Sequence, residues 1–103
     1  MSTLLRLCAA EELAPGSRRV VEIDASEEVL VLNIAGTIYA ISNVCPHEGA
    51  ALQRGQVKGT VLYCPLHRWG FELSSGRYVD DATLCGRTYR VETKDAQLFL
   101  YLM

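Results

Sequence analysis

The chain has 103 residues, about half of them hydrophobic and a fifth charged; this suits one domain with one modest core and excludes a disordered chain. A formal net charge of −2, with basic residues scattered and only Arg18–Arg19 adjacent, gives no electrostatic basis for nucleic-acid binding; a solvated strand face accounts for the pair. No stretch approaches the roughly 20 apolar residues that span a bilayer, and the opening MSTLLRLCAAEEL is too acidic, with too short an apolar run, for a secretory signal. A cytoplasmic protein with no membrane association is expected.

Taken in chain order, Glu11–Leu13 ahead of Pro15–Gly16 predicts one short helical turn ended by a break. Short runs rich in β-branched residues follow, separated by turn signals. Arg18–Ile23 (RRVVEI) and Val29–Ile34 (VLVLNI) are candidate strands, and Ala35–Gly36 leads by a tight connection into Thr37–Ile41 (TIYAI), the pattern of a hairpin. The region from Ser42 to Gly70 is irregular, with Gly49, Gly55 and Gly59 inside it and a helical turn expected over Glu48–Leu52. Val61–Tyr63, Phe71–Leu73 and Tyr78–Val79 are further short strands, the last two joined by Ser74–Ser75–Gly76. Thr88–Glu92 and Gln97–Leu102 close the chain as a hairpin around Lys94–Asp95. Strands at this spacing, without a long helical period, predict an all-β fold, an antiparallel sandwich or barrel. The loop-rich insert is where a site belongs.

Within that insert stand Cys45-Pro46-His47 and, after sixteen intervening residues, Cys64-Pro65-Leu66-His67. Four cysteines in a chain expected where thiols stay reduced read as metal chemistry before a disulfide framework. Each segment offers one thiolate and one imidazole, and two such loops facing each other place four soft or borderline ligands around one site. Two thiolates can hold one iron of a [2Fe–2S] pair and two imidazoles the other. Replacing two thiolates by neutral imidazoles removes negative charge and raises the reduction potential relative to an all-cysteine cluster. Glycines permit backbone N–H groups to approach bridging sulfur, and Pro46 and Pro65 stiffen the loops beside each cysteine. The competing reading is a structural zinc module. Zinc sites, however, commonly group Cys with Cys and His with His, whereas here they alternate within each arm.

The C-x-H and C-x-x-H arms resemble the Rieske ferredoxin family. The likeness extends through CPHEGAALQRGQVKG and CPLHRWGFELSSG, across about Asn43 to Gly76, with flanking strands that fit the family's scaffold over most of the chain. The resemblance implies a single Rieske domain over 1–103, with the cluster-binding loops at about 43–76 forming one tip. It implies one [2Fe–2S] cluster held by Cys45, His47, Cys64 and His67, and histidine edges near solvent. An exposed imidazole N–H that is lost on oxidation implies a potential that falls at alkaline pH. Where respiratory Rieske proteins carry a disulfide clasp, this chain has Ala50 and Leu66. Where they carry hydroxyl donors, it has Trp69 and Phe71. Fewer donors to sulfur imply a potential near the low end of the Rieske range, roughly −150 mV and not +300 mV.

His67-Arg68-Trp69-Gly70-Phe71, followed by Asp80-Asp81, Cys85 and Tyr89–Glu92, is similar to ferredoxins that serve aromatic oxygenases, the toluene monooxygenase type among them. The resemblance implies an electron carrier in aromatic hydrocarbon catabolism, whose transient partners would be a flavoprotein reductase using NAD(P)H and an oxygenase; nothing demands an oligomer, and a monomer is expected. Both histidines are consumed by the cluster and the chain is short, so no mononuclear iron site of an oxygenase is expected and the protein is not an enzyme. Two further readings are the small subunit of a nitrite reductase, which often lacks the ligands, and a redox sensor, for which a regulatory domain is missing. Cys8 and Cys85 are expected to be buried or idle thiols. Glu48, Arg54 and Arg68 should ring the tip, and Trp69 either packs beneath its loop or serves docking.

Overall fold

The run Val29–Ile34 is apolar at nearly every position, as a strand covered on both faces requires. In the computed structural model, which describes residues 4–45, 50–65 and 68–102, it lies at the centre of the molecule. The chain forms β1 (Leu4–Ala9), a 3₁₀ turn at Ala10–Glu12, β2 (Arg18–Asp24), β3 (Glu27–Ile34) and β4 (Thr37–Ser42). After a second 3₁₀ turn at Leu52–Arg54 come β5 (Gln56–Lys58), β6 (Val61–Tyr63), β7 (Gly70–Glu72), β8 (Arg77–Tyr78) and β9 (Asp81–Cys85). The chain closes with β10 (Thr88–Tyr89), β11 (Val91–Lys94) and β12 (Gln97–Tyr101).

These strands make three antiparallel sheets, β1-β12-β11, β10-β4-β3-β2 and β5-β6-β7-β8-β9. The second is the middle layer, because strand alternation sends successive side chains to opposite faces. Val29 and Val31 pack with Cys8, Leu13, Ala40, Leu98 and Leu100. Leu30 and Leu32 pack with Ile41, Leu52, Leu62, Phe71 and Leu73 on the other side. The expected all-β sandwich is therefore present, with two cores separated by one sheet.

Ala35 and Gly36, at φ 53° and 96°, connect paired Ile34 and Thr37 as a two-residue hairpin turn that needs left-handed backbone. Asn33 supports it: the buried side chain accepts from the Gly36 N–H at 2.8 Å and donates to the Leu13 carbonyl at 2.8 Å. The turn at Ser74–Ser75–Gly76 is also found, with Gly76 N–H donating to the Glu72 carbonyl at 2.6 Å.

Four expectations need correction. The first strand, Leu4–Ala9, has no counterpart in the sequence reading; it lies in the outer sheet against β12, where only Cys8 is buried, so the apolar signal is weak. β5 and β9 were likewise unforeseen, being short and placed at the two edges of their sheet. The run Thr88–Glu92 is two strands, because at Arg90 the chain leaves β4 and joins β12. The helical turn near Glu48–Leu52 falls at Leu52–Arg54, while the positions Glu48 and Gly49 lie outside the described residues.

Candidate metal centre

Cys64 follows β6 directly, and Cys45 follows β4 after Asn43 and Val44. Cys45 and Cys64 are 1% and 0% exposed, and both belong to the core cluster that contains Leu52, Leu62 and Phe71. Each cysteine starts a loop that closes on itself in the same way. The Cys45 N–H donates to the Ala50 carbonyl at 2.8 Å, and the Cys64 N–H donates to the Trp69 carbonyl at 2.7 Å. Both bonds run from a residue to the fifth one after it. His47 and His67 occupy sequence positions inside these closures, but, like Pro46, Glu48 and Leu66, they lie outside the described residues. Two buried thiols at the heads of matched loops fit a soft-metal site.

The first loop is held by polar groups. Asn43, 2% exposed, has every polar atom engaged. Its side-chain amide donates to Glu28 Oε1 at 3.2 Å and to Gln53 Oε1 at 2.8 Å, and its Oδ1 accepts from the Gln53 N–H at 2.8 Å. Its backbone N–H donates to the Glu28 carbonyl at 2.9 Å, and its carbonyl accepts from the Leu52 N–H at 2.7 Å. A bridge between Val44 and Ala51 lies just beyond. The loop's entry and exit are thus tied together and to β3. Arg18 adds a second tie, donating through Nη1 to the carbonyls of Gln53 at 3.1 Å and Gly55 at 2.8 Å. It is therefore more than part of a solvated strand face. Gly55 has no room for a side chain, since a Cβ would fall against the Tyr63 carbonyl; the first loop returns in contact with the strand that carries the second cysteine.

The second loop is held by rings. Trp69 stacks on Tyr78 with centroids 4.4 Å apart and planes 11° from parallel. Phe71 meets the same Tyr78 ring at 5.7 Å and a 42° tilt. Stacking of this kind helps to fix a chain segment through many weak contacts. Trp69 is half-buried against the core that holds both cysteines, which accords with packing beneath its loop.

At the end of β4, Glu27 accepts from Ser42 Oγ at 3.1 Å and from the Tyr89 hydroxyl at 2.7 Å, with Arg87 at 3.9 Å. Burial first, and then this bond to a carboxylate, push the Tyr89 hydroxyl up to about 12. Hydrogen bonds from the Ser26 N–H and hydroxyl hold the Asp24 carboxyl below its ordinary value. Of the remaining thiols, Cys8 is buried as expected, whereas Cys85 is exposed at the end of an edge strand, its Sγ lying 3.4 Å from the Ser75 carbonyl and 3.3 Å from that of Gly86. Arg54 and Arg68 are exposed as foreseen.

Sequence reasoning singled out the cysteines and missed Asn43 and Arg18. The only signal for Asn43 was a polar residue between an apolar strand and a metal motif; its partners Glu28 and Gln53 are set by topology.

Comparison with known proteins accords with this geometry. Residues 3–92 match the family model described as the Rieske [2Fe–2S] domain. The chain is 30% identical over 95 residues to the ferredoxin component of the 2,4-dinitrotoluene dioxygenase system of Burkholderia sp. (strain RASC), covering 91% of each protein. It is 31% identical over 98 residues to the methanesulfonate monooxygenase ferredoxin subunit of Methylosulfonomonas methylovora, covering 93% of this chain and 78% of that protein. Among solved structures, a chain from the complex of reduced oxygenase and oxidised ferredoxin in carbazole 1,9a-dioxygenase superposes with a TM-score of 0.86. The identity is 28%, over 94% of this chain and 91% of that one.

Proposed function

The chain belongs to the Rieske [2Fe–2S] domain family, and on that premise we propose that it is a one-electron carrier whose single cluster is held by Cys45, His47, Cys64 and His67. The thiolates of Cys45 and Cys64 would bind one iron and the imidazoles of His47 and His67 the other. When bound, the cluster supplies reversible uptake of one electron. The residues around it do the rest. The two loop closures hold the cysteines in place, Asn43 and Arg18 keep the first loop from opening, and the Trp69–Tyr78 stack steadies the second. A site held this stiffly changes shape little when its charge changes, which suits electron transfer.

The partners we propose are an oxygenase component as acceptor and an NAD(P)H-dependent flavoprotein reductase as donor, each docking transiently at the loop-bearing tip. Relatives of this length named as ferredoxin components of dioxygenase and monooxygenase systems support this reading. The chain works as one domain over 1–103, as a monomer, in the cytoplasm; among the described residues no helix is long and apolar enough to cross a membrane. Its potential lies toward the low end of the Rieske range, since Trp69 and Phe71 offer no hydroxyl to sulfur.

The observation that carries the reading is the pair of buried cysteines heading two loops with identical closures. Iron and acid-labile sulfide in the purified protein should each be near the two per chain that a [2Fe–2S] cluster contains. Visible absorbance should bleach with dithionite. Cys45→Ser and Cys64→Ser should each lose both iron and colour. Colourless protein containing zinc would overturn the assignment, and a clearly positive midpoint would overturn its placement among low-potential carriers.

A further inference from the structure

Between Ala50 and Phe71 the only charged residues are Arg54, Lys58 and Arg68. All three are exposed, and all three line one groove of about 400 Å³ together with Tyr63, Cys64 and Pro65. Among the described residues no carboxylate lines this groove. Lys58 Nζ sits 5.9 Å over the Tyr63 ring. Arg68 has φ 55°, a left-handed backbone that costs a side-chain-bearing residue energy and that glycine or asparagine would adopt more readily.

The other cysteine has the opposite surroundings. Val44, the residue before Cys45, lines a second hollow with Glu22, Asp24, Glu27 and Glu28. In the register of β2 and β3, Glu22 faces Glu28 and Asp24 faces Glu27, like-charge pairings that destabilise a sheet. Positive charge thus gathers at the second loop and negative charge beside the first, on a chain whose net charge is only −2.

We propose that the groove of Arg54, Lys58 and Arg68 is a docking face for an acidic patch on the protein that accepts the electron; this rests on the carrier reading above. A protein is the fitting occupant because only a surface broad enough to span both loops senses the two charges together, which fixes its orientation. The net charge repels a small anion at long range, whereas a facing acidic patch meets three exposed cations at contact.

The proposal is tested with two net-charge-matched variants, Arg54→Glu/Lys58→Glu in the groove and Arg6→Glu/Lys94→Glu on the outer sheet. Anisotropy of a fluorescent decaglutamate peptide at low ionic strength reads docking without any redox step. Stopped-flow oxidation of the dithionite-reduced protein by ferricyanide reads charge at the electron exit. The groove variant should weaken peptide binding about tenfold and slow ferricyanide about as much, while the outer-sheet variant should change each less than twofold. Equal losses in both variants would overturn the proposal, because net charge and not place would then govern. Tripolyphosphate displacing the peptide at a far lower concentration than free decaglutamate, at matched ionic strength, would also overturn it in favour of a small-anion site. Peptide binding that behaves as expected in a protein with no reducible cluster would refute the carrier reading alone.

Discussion

The two cysteine loops reach the same backbone closure by different physical means. The first is braced by a buried amide and a guanidinium, the second by stacked rings. Polar braces are directional and close to all-or-none, since a buried group that loses its partner keeps its desolvation cost. Aromatic braces spread their stabilisation over many weak contacts and weaken by degrees. The metal loops therefore have one rigid latch and one cushioned one.

That contrast can be broken experimentally. The largest effect should come from Asn43→Ala, which removes three part-buried side-chain hydrogen bonds to Glu28 and Gln53 at a cost of about 2 kcal/mol or more. Iron content should fall with stability, as read by denaturant unfolding beside iron analysis. Tyr78→Leu should cost about 1 kcal/mol through lost stacking and leave most of the iron in place. If Tyr78→Leu proved the more damaging of the two, the polar latch would not be the stronger one.

The smallest effect is one of pH. Tyr89 is neutral in the fold and has its pKa raised, to about 12 from the ordinary 10.0. Its contribution is present in full below about pH 10 and is lost as the pH rises toward 12, because ionisation sets a phenolate against Glu27. Denaturant midpoints should therefore fall across that window, and Tyr89→Phe should flatten this part of the fall. An unchanged profile in the variant would show that Tyr89 does not carry this part of the pH dependence.

How far the sequence revealed this molecule depended on the range of the information. The middle sheet was legible because VLVLNI, TIYAI and the Ala35–Gly36 turn state their structure within a few residues. The cysteines were legible because ligand spacing is local chemistry. Arg18 reads from sequence as a solvated cation, and only the fold brings it to the carbonyls of Gln53 and Gly55. Asn43 likewise gains its meaning from Glu28 and Gln53, fifteen and ten residues away. The outer strand Leu4–Ala9 escaped notice because its one buried residue, Cys8, is itself a cysteine and was weighed as a thiol. The break at Arg90 leaves no composition signal, since each half of the run is an acceptable strand.

The pairing of β1 with β12, which sets Leu4 against Tyr101, has a consequence for the order of folding. Hairpins β2–β3 and β3–β4 join neighbours in the chain and can form early, at small loop-closure cost. The outer sheet needs contacts between residues nearly the whole chain apart, which slows folding. During synthesis β1 must wait as an unpaired strand until β12 has emerged. The layer holding Cys45 and Cys64 is complete by β9, so the metal loops can take shape while the far side of the middle sheet is still bare.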